Sequence, residues 1–257
     1  MAIFQSGNPA LSEKIFNRSL EQTTGETMTV RGSINKFGFL MLMVVAGAAY
    51  TWNLYGEFKM QTMTTLLWVG LIGGLITAII ISFKPTLAAY LAPAYGILEG
   101  FALGAISVVL NDAFKEKYPG IILEAVGLTF GVAIAMFLLY NLRIIKPTQK
   151  LQAIIFGATF GIMIFYLIDM VLLYVFKINL PFMRFGDSSW LGIGISLFVI
   201  AIAALNLILD FGRIEQGAEM GAPKYMEWYG AFGLLVTIVW LYIEILRLLS
   251  RFAGGRK

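Results

Sequence analysis

No cysteine and no histidine occur in the 257 residues. Without cysteine there are no disulfides, and the redox compartment leaves no mark on the chain. Structural zinc, iron–sulfur clusters and His-ligated haem all lose their ligands. Nucleophile systems built on Ser-His-Asp or Cys-His are excluded as well. Any acid–base chemistry falls to carboxylates, Lys or Tyr. Charge is scarce too: Asp, Glu, Lys and Arg make up 13% of the chain, about half the share in soluble domains. A net charge of +4 with no basic stripe interleaved with aromatics does not indicate nucleic acid; such Lys and Arg residues set membrane topology or meet anionic lipid.

Apolar residues fill the space that charge leaves. They form 59% of the chain, in runs recurring from Phe37 to Leu249. Seven segments approach or exceed the ~20 residues that cross ~30 Å of hydrocarbon: about 34–56, 63–83, 87–110, 120–140, 151–176, 190–210 and 227–249. Backbone groups in lipid must pair within the segment, so each is expected to be a helix, and β-barrel alternation is absent. The expected fold is all-α, a polytopic membrane protein with seven helices in one bundle spanning 34–250. Residues 1–33 form a polar N-terminal tail and 251–257 a basic C-terminal tail. No short apolar core follows a basic start, so the N-terminus does not read as a cleavable signal peptide. Leu11, Ile15, Phe16 and Leu20 share helical spacing, which suits either a short amphipathic helix on the membrane or bundle, or a loosely ordered tail.

Pro85, Pro119, Pro147, Pro181 and Pro223 fall in or beside links, where proline costs little. Pro93 stands inside the third segment and is expected to kink or open it. Glycine recurs at four-residue spacing in Gly96, Gly100 and Gly104, in Gly127 and Gly131, and in Gly157 and Gly161. Such rows are expected to let neighbouring backbones approach closely.

Lys and Arg in the links orient the bundle. The links on the N-terminal side hold more of them than the opposite links, which places the N-terminus in the cytoplasm and the protein in the cell membrane. Arg247, Arg251, Arg256 and Lys257 argue the other way if the last segment crosses; a re-entrant last segment would reconcile the two.

Ionisable groups inside a bilayer are costly and mark partners, cavities or pathways. Glu99 falls near mid-membrane in the third segment. Glu124, Asp169 and Glu244 fall near the ends remote from the N-terminus, and Asp210 and Glu227 flank the near end of segments six and seven. The basic residues that could answer them are Lys84, Arg143 and Arg213 on the near side and Arg247 on the far side; Arg247 follows Glu244 by three residues and can neutralise it on one helix face. Carboxylates strung through a bundle suit hard cations such as calcium, with backbone carbonyls near a helix break as further ligands. Pro93, a glycine row and Glu99 on one helix are expected to make a narrow polar spot there. No metal site is specified, and no cofactor is required.

Several stretches resemble the Bax inhibitor-1 family, in its bacterial YccA-like branch. They are Asn8-Pro9-Ala10-Leu11, Ala92-Pro93-Ala94-Tyr95-Gly96-Ile97-Leu98-Glu99-Gly100, Asn206-Leu207-Ile208-Leu209-Asp210-Phe211 and the run from Trp240 to Leu249. The resemblance implies seven helices around a central last one. It also implies a calcium leak or pH-sensitive calcium carrier linked to stress and cell-death control. In such relatives an acid closing helix six pairs with an acid in the last helix, and a basic group near the end of helix two locks them. Asp210 matches the first acid and Lys84 stands near the basic group. Aligning the final Leu-Arg-Leu-Leu run puts Thr237 where the second acid would be, with Glu244 about two turns further on and not expected to touch Asp210.

The leading expectation is therefore a pH-modulated cation leak, calcium foremost, not an enzyme, using Glu99, Asp210, Glu244 and Asp169 with Lys84, Arg213 and Arg247 as ion-pair partners. The alternative is a non-transporting regulator that binds other membrane proteins or modulates a membrane protease. An intramembrane aspartyl protease using Asp169 and Asp187 is the weakest reading, because Asp187 falls in a loop.

Overall fold

A computed structural model describes residues 25–255. It is all-helical, with seven long apolar helices packed in one bundle: α1 (Val30–Gly56), α2 (Met60–Phe83), α3 (Ala88–Phe114, preceded by a single turn at Pro85–Leu87), α4 (Ile121–Asn141), α5 (Gln149–Tyr174), α6 (Trp190–Glu219) and α7 (Met226–Gly255). All seven are long and apolar enough to cross a membrane. The side on which α1 begins is called the N-side below, and the other the C-side. The expected amphipathic segment at Leu11–Leu20 lies outside the described residues.

Hydrophobicity alone does not sort these helices into inside and outside, since lipid is as apolar as a core. Packing does. α7 is the axis: Gly230, Phe232, Leu235, Ile238, Leu241, Ile245 and Leu249 bury its whole circumference. α2 and α5 are peripheral and show Trp68, Ile72 and Leu75, and Ile154, Leu167 and Ile168, to the lipid. α7 runs without a break for 30 residues, about 45 Å at 1.5 Å per residue. A full crossing therefore replaces the re-entrant alternative. The conflict over orientation eases as well, because Arg247 and Arg251 lie inside the bundle and are bonded there, so they are not link charges.

Caps and turns fix the helix ends. Thr29, Thr148 and Ser189 accept hydrogen bonds from Gly32, Leu151 and Gly192, closing the first turns of α1, α5 and α6. Ahead of α1 the chain is stitched to the α6–α7 turn: Met28 N donates to Ala222 O at 2.7 Å and Lys224 N to Glu26 O at 3.0 Å.

The glycine rows divide. A methyl group at Gly100 would lie 2.3 Å from Val44 O, and one at Gly47 would lie 2.6 Å from Ile97 O. Gly96 and Gly104 meet α1 in the same way, so α1 and α3 touch backbone to backbone. A methyl group at Gly127, Gly131, Gly157 or Gly161 would meet nothing within 4 Å. The close approach expected at those four is absent, because their rows face outward. At Pro93 α3 is continuous, so the helix does not break there. The carbonyl that Pro93 leaves without a donor is that of Ala89, ten residues and about 15 Å along the helix from Glu99, so it cannot join Glu99 in one polar spot.

Candidate functional site

The polar residues of the bundle gather at three depths. On the N-side half, Asp210 of α6 is 0% exposed. Thr237 of α7 donates its hydroxyl to Asp210 Oδ2 at 2.5 Å. α6 continues nine residues past the expected end, to Glu219, so Asp210 stands within the helix, about 13 Å from its end. Arg213, one turn nearer that end, is 8% exposed. Lys84 is exposed in the α2–α3 connection and makes no side-chain bond among the described residues, so the structure does not bring it onto Asp210. Thr237, one partner of Asp210, is the residue that stands where the resemblance calls for a second acid.

At mid-depth Glu99 lies against α2, where a methyl group at Gly74 would meet its Oε1 at 3.1 Å. The glycine row of α3 faces α1 instead. Glu99 and the row therefore serve different neighbours, and the expected convergence of proline, glycines and acid does not occur. Tyr95, one turn earlier, packs edge-on against Phe232 of α7 with ring centroids 4.9 Å apart.

On the C-side half, Glu244 receives Arg247 Nη1 at 3.2 Å and the Tyr166 hydroxyl at 2.7 Å. The Arg247 guanidinium also covers the rings of Tyr166 and Phe185 at 5.3 Å. The expected local neutralisation of Glu244 is thus present, with α5 drawn in. Glu244 lies seven residues beyond Thr237, about 10 Å along the axis, and does not reach Asp210. Asp169, three residues past Tyr166, makes no side-chain hydrogen bond or ion pair among the described residues. Asp187 is in the α5–α6 loop and meets Arg251, so the two aspartates of the protease reading are not paired. Among the described residues no three acidic side chains converge as metal ligands.

Four further groups carry weight in the structure, of which the sequence marks Glu227 as an acid near a helix end. Arg251, expected in a basic tail, is 1% exposed. It donates to Ser196 Oγ at 3.0 Å, Phe182 O at 2.6 Å, and Asp187 O and Oδ2 at 3.2 and 3.3 Å. It therefore pins the α5–α6 loop over the end of the bundle. A signal for it exists: Thr237, Glu244, Arg247 and Arg251 recur at helical spacing on one face of α7. Glu227 is fully buried and collects Thr29 N at 2.8 Å, Thr29 Oγ1 at 2.9 Å and the Lys36 ammonium. It anchors the start of α1 to the start of α7. Glu215 binds Tyr140 and, at 2.5 and 3.0 Å, Arg143 in the α4–α5 link; that carboxylate holds the Arg143 guanidinium above its ordinary pKa. Tyr242 shares a 2.7 Å hydrogen bond with Ser107 of α3.

Seven helices around a central last one is the arrangement the sequence resemblance implies. A family model described as Bax inhibitor 1 like matches residues 8–254. The chain belongs to the Bax inhibitor 1 like family. No curated protein and no solved structure matches it. In this chain a hydroxyl, that of Thr237, stands opposite Asp210.

Proposed function

We propose that this family member is a pH-modulated cation leak of the cell membrane, with calcium as the cation and its N-terminus in the cytoplasm. The observation that carries the reading is Asp210: a carboxylate without solvent exposure, inside a membrane span, bonded across to the central helix through Thr237. A buried acid is costly in its charged form, so its protonation state is coupled to how α6 and α7 sit against each other. Glu99 and Glu244 extend the set of acids to the middle and the far half. With one acid opposite a hydroxyl, the switch is a single titrating carboxylate with a hydrogen-bond partner, not a pair sharing a proton. The four sequence stretches that carry the resemblance support assignment to the YccA-like bacterial branch and, with it, a role in stress response.

Calcium flux into proteoliposomes at several pH values tests this. Flux is expected to vary with pH, and Asp210→Asn is expected to flatten that variation while insertion and expression stay normal. Absence of flux at every pH, with a protein partner recovered by crosslinking, would transfer the chain to the regulator class. Reporter fusions at the two ends are expected to report opposite sides.

A further inference from the structure

α5 joins the bundle chiefly through α6, and on the N-side the two do not close completely. Between them lies a cavity of about 210 Å³ lined by Pro147, Gln152, Leu209, Gly212, Arg213 and Gln216. Its wall is unlike the lipid-facing clefts elsewhere on the bundle, which are lined almost wholly by apolar side chains. Here two amides and a guanidinium face one small space. The amide of Gln152 is oriented, since Nε2 donates to Pro147 O at 2.8 Å. That leaves Oε1 as an acceptor; the side chain is more than nine-tenths buried, and Oε1 has no partner among the described residues.

A buried amide oxygen is ordinarily bonded, to protein or to water. The cavity has room for several waters at about 30 Å³ each, and the Arg213 guanidinium and the Gln216 amide are among its lining groups. Along α6 the lining runs from Gln216 to Leu209, about 10 Å, which brings it level with Asp210. Asp210 itself faces α7. Arg213 therefore stands between the two: it lines the cavity and sits one turn from Asp210 on the same helix. Deeper along α6, Asn206 repeats the pattern. Its Nδ2 is held by Thr159 Oγ1 and Ile202 O, both at 2.9 Å, while its buried Oδ1 has no partner among the described residues.

We propose that the N-side cleft between α5 and α6 is a water-filled inlet that carries the aqueous phase into the membrane as far as Arg213, level with Asp210. Water is the resident ligand and small hydrated ions are its traffic. Its part in conduction rests on the reading of Asp210 as the switch; its hydration does not. The inlet enters from the side of the bundle, between α5 and α6, and not along the packed axis of α7.

The absence of cysteine makes the test direct, because each introduced thiol is the only one. Leu209→Cys and Gln152→Cys place a thiol on the inlet wall. Ile154→Cys places one on the same helix as Gln152, facing lipid. A small, membrane-impermeant anionic methanethiosulfonate is added to one side or the other of sealed vesicles holding the full chain. Thiols in apolar surroundings stay protonated and inert, so the inlet thiols are expected to react from the N-side at least about tenfold faster than Ile154→Cys, and not from the C-side. Gln152→Cys keeps the measurement available if Leu209→Cys fails to insert. Reaction no faster than at Ile154→Cys overturns the inlet. Because labelling is read without flux, a chain that labels and never conducts retains the inlet and loses the leak, and the converse result does the opposite.

Discussion

The contact between α1 and α3 offers a measurement with a built-in control. In Gly100→Ala a single methyl group enters a space where Val44 O lies at 2.3 Å, Gly47 Cα at 2.9 Å and Ala48 N at 3.1 Å. Carbon comfortably approaches such atoms at ~3.5 Å or more, so the two helices must part by about 1 Å. The obstructing atoms are backbone and cannot rotate aside. Overpacking of this kind costs about 1–3 kcal/mol. Exchange of glycine for alanine in a helix returns about 1 kcal/mol of propensity. Gly127→Ala collects the same return with nothing within 4 Å to resist it. The propensity gain cancels between the two variants, and what separates them is the steric cost alone. A 2 kcal/mol gap corresponds to about 4–8 °C in melting temperature for a chain of this size. Thermal unfolding of both variants in one detergent is the assay. Gly100→Ala is expected to melt about 2–4 °C below the parent, net of the propensity return, and Gly127→Ala at or above it. Equal melting temperatures, or the reverse order, would refute the backbone contact between α1 and α3.

Arg251→Met removes a buried guanidinium and leaves the Phe182 carbonyl and the Ser196 hydroxyl without their donor; a loss of about 1–3 kcal/mol is expected, seen as a lower melting temperature and as faster proteolysis in the 175–189 loop. Thr237→Val deletes the hydroxyl that bonds Asp210 while keeping the shape, at an expected cost of about 1–3 kcal/mol, together with a shifted pH profile of flux; Thr237→Ser should retain both properties, and identical behaviour of Val and Ser would remove Thr237 from the switch. Glu99→Gln keeps the hydrogen-bonding capacity and deletes the titration: lost flux or lost pH response with normal insertion places Glu99 on the pathway, whereas intact transport together with a destabilised Glu99→Leu makes it a structural contact between α3 and α2.

Hydropathy locates all seven spans in order, because lipid demands long apolar helices whatever their neighbours. It sets the ends less well. The apolar run of α6 predicts a stop at 210, where Gly212, Arg213, Glu215 and Gln216 dilute it. The helix goes on because those polar groups find partners within the bundle, such as Tyr140 and Arg143 for Glu215. Glycine spacing is legible and its meaning is not. The same four-residue repeat faces α1 at Gly96, Gly100 and Gly104 and faces outward at Gly127 and Gly131, and a one-dimensional pattern does not say which face has a neighbour. Aligning the last helix puts Thr237 opposite Asp210, and three-residue spacing pairs Glu244 with Arg247. The inlet is not legible: it depends on which way the amide of Gln152 turns and on how far α5 stands from α6.

The burial of α7 has a consequence for how the molecule is made. Chains emerge from the ribosome N-terminus first, so the helix that forms the axis of the bundle is synthesised after the six that surround it. Until it arrives, α1 to α6 enclose a space with no filler. Asp210 lacks the Thr237 hydroxyl, Tyr95 lacks the ring of Phe232, and the loop carbonyl of Phe182 awaits the guanidinium of Arg251, near the far end of α7. Six helices without α7 are therefore an unfinished bundle. A chain ending just ahead of Arg251 would lack the guanidinium that bonds the Phe182 carbonyl and Asp187, so the final turns of α7 complete the clamp on the α5–α6 loop.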